Sequence, residues 1–98
     1  MIALKVYYNE YKARKGLFKV KIVIDDGNII KDIYITGDFF IYPEEVIWII
    51  EDSLKGVKFE EETVSSIIRD VFAKEDAVLV GCTLDEFIKT IMEARPVE

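Results

Sequence analysis

The sequence predicts an α+β fold, in which a three-stranded antiparallel meander is followed by about three helices that pack on one face of the sheet. In residues 2–8, 17–24 and 29–35 apolar and polar side chains alternate, which is the period of a strand with one buried face. After Pro43 the apolar residues recur every three or four positions, which is the period of an amphipathic helix. We expect a single domain over residues 1–98, because domains of about 100 residues are common and no linker divides the chain.

The first two strands are predicted within residues 2–8 and 17–24, and the polar segment 9–16 between them is predicted to be a loop. The core face of the first strand is expected to carry Ile2, Leu4, Val6 and Tyr8. The core face of the second strand is expected to carry Phe18, Val20, Ile22 and Ile24.

A hairpin is predicted to join the second strand to the third. The run Asp25-Asp26-Gly27-Asn28 is a strong turn signal between two apolar segments. Residues 29–35 then form the second arm, with Ile29, Ile33 and Ile35 expected on its core face.

The first helix is predicted to begin at Pro43, because proline at the first helical position loses no hydrogen bond. Glu44 and Glu45 suit the positive end of the helix dipole, and Lys55-Gly56 is a stop signal. The buried stripe of this helix is expected to consist of Val46, Ile47, Ile50 and Leu54.

Two more helices are predicted. One lies near residues 61–74, and the other starts at Thr83, which can form a capping box with Glu86, and ends before Pro96. Residues 77–82 between them are an extended linker or a minor strand. The two buried stripes are expected to consist of Val64, Ile67, Ile68, Val71 and Phe72, and of Leu84, Phe87, Ile88, Ile91 and Met92.

The composition excludes several kinds of site. The chain has no histidine and one cysteine, Cys82, which excludes histidine-containing catalytic triads and nearly every zinc site. A lone cysteine forms no intramolecular disulfide, so we expect a buried or half-buried thiol and a reducing, cytoplasmic setting. We expect no membrane span, since no uncharged run approaches the roughly 18 residues that a spanning helix needs. We expect no signal peptide, since Lys5 interrupts the N-terminus and no small-residue cleavage site follows an apolar stretch. Abundant Ile, Val, Lys and Glu without glutamine is typical of a heat-adapted protein.

The net charge of −6 is unevenly distributed. Residues 1–31 contain seven basic and three acidic side chains, whereas residues 32–98 contain six basic and sixteen acidic ones. Such polarity favours docking on a partner in one orientation.

The segment Thr36-Gly37-Asp38-Phe39-Phe40, between the last strand and the first helix, is the candidate partner interface. Neighbouring side chains of an extended chain point to opposite faces, so Phe39 and Phe40 are not expected to enter the same core. A partner would cover the exposed ring; the alternative is that the segment bends and buries both. Gly37 would permit a tight or positive-φ turn, while Asp38 would accept backbone N–H bonds or face a cation of the partner.

Lys12, Arg14 and Lys15 are candidates for contact with an anionic ligand or partner. They belong to the basic stretch 12–21, which favours a small nucleic-acid-binding module as the alternative function. The plainer interpretation of this stretch is a solvated loop and strand face. The acidic runs 44–45 and 60–62 are better explained by helix starts than by a metal site, and we predict no catalytic residue and no metal ligand in this chain.

Around the candidate interface the sequence resembles the C-terminal accessory domain of lipoate–protein ligases. The motifs that carry the resemblance are Ile35-Thr36-Gly37-Asp38-Phe39-Phe40, Pro43-Glu44 and Leu54-Lys55-Gly56. Later matches at Gly81, Asp85-Glu86-Phe87 and Ala94 extend the likeness over residues 11–95. Of the family's Tyr-Lys-x-x-Gly-Gly-Lys stretch, this chain keeps only Tyr11, Lys12 and Gly16.

The resemblance implies a fold similar to that of the SufE/NifU-type sulfur-transfer and scaffold proteins. It also implies a separate, non-catalytic small subunit that a larger catalytic subunit needs to activate lipoate to lipoyl-AMP for acceptor proteins with lipoyl domains. ATP, Mg²⁺ and lipoate are then implied for the complex, with none bound by this chain. Neither a membrane nor a specific nucleic acid is implied as a partner.

Overall fold

The computed structural model describes residues 3–97 and confirms the α+β class. In chain order its elements are β1 (Leu4–Ala13), β2 (Gly16–Asp25), β3 (Ile30–Asp38), β4 (Phe40–Tyr42), α1 (Val46–Leu54), α2 (Glu61–Lys74), β5 (Val78–Val80), α3 (Leu84–Met92) and β6 (Arg95–Pro96).

The main sheet is antiparallel with strand order β3-β2-β1-β6, so the predicted meander forms its first three strands. The fourth strand, β6, was not predicted, since Pro96 was expected only to lie beyond the last helix. It pairs with Tyr7 and Tyr8 of β1. The strands β4 and β5 form a separate two-stranded ribbon.

The prediction of a loop over residues 9–16 is wrong. The first strand continues to Ala13, and only Arg14 and Lys15 remain as the turn before β2. The polar side chains do not break the strand, because those that point inward have partners on α3. The side-chain amide of Asn9 donates to the carbonyl oxygen of Thr90 at 2.9 Å, and the hydroxyl of Tyr11 donates to the carboxylate of Glu86.

The predicted core face of β1 is also wrong. Leu4, Val6 and Tyr8 are exposed, whereas Tyr7 turns inward, opposite the buried Ile22 of β2, and its ring packs edge-on against Phe59. The neighbouring strand decides the face, because β2 buries Phe18, Val20, Ile22 and Ile24 as predicted and paired strands share their faces. Ile2 lies outside the described residues.

The pairing of β2 with β3 shifts its register between Val23 and Ile24 of β2, so that Ile24 pairs with Ile30 of β3. The shift places Ile30, rather than the predicted Ile29, in the core; Ile29 is half-buried. Ile33 and Ile35 are buried as predicted.

The prediction that the first helix begins at Pro43 is wrong by three residues. The amide of Val46 bonds to the carbonyl oxygen of Pro43 at 3.1 Å, so residues 43–45 form a turn that leads into α1. The helix ends at Leu54 as predicted, with Gly56 in the left-handed region at a φ of 82°.

The other two helices lie where the sequence predicts them. The capping box at the start of α3 is present, since Thr83 Oγ1 accepts from the Glu86 amide and the Glu86 carboxylate accepts from the Thr83 amide. The largest fully buried side chains of the core are Phe18, Phe87, Ile22, Ile24, Ile30, Ile33, Ile50, Leu54, Ile68, Ile91, Val20 and Val46.

Candidate partner-binding surface

Gly37 lies near the end of β3, opposite Phe18 of β2, with a φ of 137°. A Cβ at this position would overlap the backbone carbonyl of Leu17. The predicted positive φ is thus confirmed, and the close approach of the two strands excludes any side chain at residue 37.

The two phenylalanines that follow point in different directions, as the alternation predicts. Phe39 is half-buried, and its ring lies edge-on to Phe18 with the ring centroids 5.5 Å apart. Phe40 is 66% exposed. The alternative in which both rings are buried is therefore wrong.

Phe40 belongs to an exposed apolar surface that the sequence pattern does not predict. In the β4–β5 ribbon Phe40 pairs with Val80 and Tyr42 with Val78, so these four side chains share one face. They are 66%, 47%, 56% and 56% exposed, while Ile41 between them is buried. We call this face of Phe40, Tyr42, Val78 and Val80 the ribbon patch. Its only signal in the sequence is two short alternating runs nearly forty residues apart, which no local pattern pairs.

Thr36 and Asp38 are both exposed on the outer face of β3, where Thr36 lies opposite Lys19 and Asp38 opposite Leu17. Within residues 3–97 the Asp38 carboxylate accepts no hydrogen bond and forms no ion pair, so the expectation that it accepts backbone N–H bonds in the turn is not met. Contact between Asp38 and a partner stays a prediction.

Lys12, Arg14 and Lys15 lie at the tip of the β1–β2 hairpin, which we call the hairpin tip. Ala13 pairs with Gly16, so Arg14 and Lys15 occupy a two-residue turn. Lys12 and Arg14 line an open concavity of about 700 Å³ together with Leu17 and Asp38. The structure therefore brings these candidate anion contacts next to the candidate interface segment.

The hairpin tip borders the ribbon patch through backbone contacts at two glycines. A Cβ at Gly16 would lie 2.5 Å from the carbonyl oxygen of Asp38 and 3.5 Å from the Cβ of Phe39. A Cβ at Gly81, which follows β5, would lie 3.5 Å from the carbonyl oxygen of Lys15. The tip, the end of β3 and the ribbon thus form one continuous end of the molecule.

Cys82 is half-buried, as predicted. Burial, assisted by the charge of Glu86, raises the pKa of its thiol. A thiol with a raised pKa stays protonated at neutral pH and is a poor nucleophile.

The acidic runs 44–45 and 60–62 lie in the turn before α1 and at the start of α2. Glu61 and Glu62 lie in the first turn of α2, and Glu60 pairs with Lys58 at 3.3 Å. Among residues 3–97 no three His, Cys, Asp or Glu side chains lie close enough together to hold a metal ion. No helix in this part of the chain is long and apolar enough to cross a membrane.

An exposed apolar surface such as the ribbon patch marks a site where another protein can bind. The family described as bacterial lipoate protein ligase C-terminus matches residues 6–91. The chain belongs to this family, as the motifs around Gly37 suggested.

The chain is similar, over most of its length, to a named protein and to a chain of a solved structure, both from Thermoplasma acidophilum. The protein named lipoate-protein ligase A subunit 2 is 41% identical over 86 residues, which cover 88% of this chain and 87% of the relative. A chain from the solved structure of an archaeal lipoylation system, a bi-partite lipoate protein ligase and its E2 lipoyl domain, is 38% identical. It superimposes with a TM-score of 0.80 over 91% of this chain and 97% of that one.

Proposed function

We propose that this chain is the non-catalytic accessory subunit of a two-part lipoate–protein ligase. The observation that carries the proposal is its nearly full-length match, in sequence and in fold, to the second subunit of such a ligase. The chain has no histidine and its one thiol has a raised pKa, which agrees with a role that leaves bond-making to another subunit.

In this role the larger catalytic subunit binds ATP, Mg²⁺ and lipoate, and the complex activates lipoate to lipoyl-AMP before transfer to a lysine of an acceptor protein. The accessory subunit contributes through contact. The contact with the catalytic subunit is made by the segment Thr36-Gly37-Asp38-Phe39-Phe40. An anionic group at that contact is faced by Lys12, Arg14 and Lys15.

Two further parts of the proposal concern the chain as a whole. We treat residues 1–98 as one domain, because helices and sheet contribute to one hydrophobic core. We place the complex in the cytoplasm, where a reducing milieu keeps Cys82 as a thiol.

The experiment that tests the proposal combines co-purification with pyrophosphate exchange. The chain and a candidate catalytic subunit from the same organism are expressed together and separately, and lipoate-dependent exchange between ATP and pyrophosphate is measured. We expect a stable complex, exchange by the complex, and none by this chain alone. Full activity of the catalytic subunit without this chain, or activity of this chain by itself, would show that the accessory role is wrong.

A further inference from the structure

We infer that the docking surface is a composite of the ribbon patch and the hairpin tip, and that it fits a catalytic subunit whose contact face has an apolar centre bordered by carboxylates. The inference rests on the proposed function for the identity of the partner. Beyond that function, the interface includes the ribbon residues Tyr42, Val78 and Val80. The hairpin tip governs the rate of association and the ribbon patch the rate of dissociation, and the partner's contact face is acidic at its border.

The ion pairs of the described residues first point to this surface. Every lysine or arginine that forms an ion pair lies between Lys31 and Lys74. The basic side chains of β1, β2 and their turn lie within 4.0 Å of no carboxylate oxygen in residues 3–97. They are Lys5, Lys12, Arg14, Lys15, Lys19 and Lys21.

This pattern is informative because carboxylates are abundant in the chain, with 19 acidic residues against 13 basic ones. Even Asp38, which lines the same concavity as Lys12 and Arg14, forms no ion pair with them. The cations of the hairpin are thus left available to an acidic neighbour, whereas Lys31, Lys55, Lys58, Arg69 and Lys74 pair within the molecule. Lys89 and Arg95 also form no ion pair among the described residues, but they lie outside the hairpin.

The hairpin tip also lies against the ribbon. Its two-residue turn follows Ala13, which pairs with Gly16, and the backbone at Gly16 and Lys15 packs beside Asp38 and Gly81. A partner that covers the ribbon patch therefore meets these cations at the border of the contact. This is the arrangement of an apolar interface core with a charged rim.

Charge complementarity identifies the opposite face as acidic. Residues 32–98 carry a large excess of negative charge, so an acidic partner is repelled by most of this chain and attracted at the hairpin end. Such polarity orients the encounter and raises the rate of association, whereas burial of the ribbon patch slows dissociation. A nucleic acid fits less well, because the ribbon patch next to the cations is apolar and because the chain as a whole is acidic.

The test measures association and dissociation rates of the complex by stopped-flow fluorescence. The variant Arg14→Glu/Lys15→Glu reverses two exposed charges in the turn, and the control Lys31→Glu/Lys58→Glu makes the same change in net charge at the opposite end of β2. Lys31 follows Ile30, which pairs with Ile24, and Lys58 pairs with Ile29. Both lysines are thus about 30 Å from the tip, at roughly 3.3 Å per strand residue. Val80→Ser tests the ribbon patch, and thermal melts verify that all variants fold.

At about 50 mM salt we expect the tip variant to associate at least about 10-fold more slowly than wild type, with dissociation nearly unchanged. At about 300 mM salt the difference shrinks, because screening shortens the reach of the charges. The control associates at nearly the wild-type rate. Val80→Ser dissociates several-fold faster and associates normally.

Three outcomes overturn the inference. Equal association rates of wild type and the tip variant, or equal slowing by the control, show that the tip does not steer docking, although the complex forms and the proposed function stands. Submicromolar binding of a single-stranded oligonucleotide at about 150 mM salt, lost in the tip variant, assigns the surface to nucleic acid instead. If the wild-type chain fails to bind the catalytic subunit at all, the proposed function itself is wrong.

Discussion

The ring of Phe39 packs edge-on against the ring of Phe18 at a centroid distance of 5.5 Å, so the end of the candidate interface segment is fixed to the core of the sheet. Phe18 is buried and in turn packs against Phe87 of α3 at 4.7 Å. The next residue, Phe40, begins the ribbon and faces solvent. Phe39 thus fixes the segment to the core, and this contact leaves the ring of Phe40 exposed on the surface.

Replacing Phe39 by alanine should destabilise the fold by about 2–4 kcal/mol, because the aromatic cluster loses a ring that is half-buried. Urea denaturation measures the loss. We expect the variant that remains folded to bind the catalytic subunit only modestly less tightly. An unchanged free energy of unfolding would contradict the anchoring role.

Replacing Phe40 by alanine should leave the free energy of unfolding within about 0.5 kcal/mol of wild type, since its ring is mostly exposed. It should weaken the complex by about 1–2 kcal/mol, as loss of an aromatic interface anchor does. Isothermal titration with the catalytic subunit measures this, and Tyr34→Ala, an exposed aromatic on the outer face of the main sheet, is the matched control. Unchanged affinity would place the interface elsewhere.

Local signals in the sequence predict α2 and α3 well. The helical period of α2 and the capping box of Thr83 and Glu86 depend only on residues a few positions apart, and both elements lie where these patterns place them. The separation of Phe39 from Phe40 was predictable for the same reason, since alternation along an extended chain is local.

Contacts between distant segments explain what was missed. Both faces of β1 carry apolar or aromatic side chains, Leu4 and Val6 on one and Tyr7 and Tyr11 on the other, so alternation alone does not decide which face α3 covers. The ribbon patch depends on pairing Phe40 with Val80, and runs of three residues carry too little pattern to predict that pairing. The basic stretch was visible, but its contact with Gly81 was not.

Replacing Gly37 by alanine should destabilise the fold by at least about 2 kcal/mol, because the backbone there has a φ of 137° and the added Cβ overlaps the carbonyl of Leu17. Denaturant titration measures the loss. Gly27→Ala is the control: its Cβ would approach nothing closer than a side-chain oxygen of Asp25 at 3.4 Å, and we expect a change below about 1 kcal/mol. Equal effects at both sites would contradict the close approach of β2 and β3.

The hydrogen bond from Tyr11 to Glu86 ties β1 to the first turn of α3. It lowers the pKa of the Glu86 carboxyl, with help from the Thr83 amide, and raises the pKa of the Tyr11 phenol. Because the carboxyl pKa is lower in the folded state, the hydrogen bond stabilises the fold at pH values above the ordinary carboxyl pKa near 4.3. This contribution is lost as the pH falls through the folded-state pKa. Because the phenol pKa is higher in the folded state, the same bond stabilises the fold at pH values below the ordinary phenol pKa of about 10. This contribution is lost as the pH rises through the folded-state pKa.

Tyr11→Phe should therefore reduce the free energy of unfolding most between about pH 5 and pH 9, with a smaller difference from wild type at either extreme. The carboxyl resonance of Glu86, followed by NMR, should titrate at a higher pH in the variant, because the donated hydrogen bond is gone. Tyr8→Phe is the control, since the Tyr8 hydroxyl bonds to Glu10 two residues away on an exposed strand and ties no elements together. Urea denaturation across the pH range measures the stabilities. Because phenylalanine keeps the ring, an unchanged free energy of unfolding in Tyr11→Phe at every pH would show that the ring, rather than the hydrogen bond, links β1 to α3.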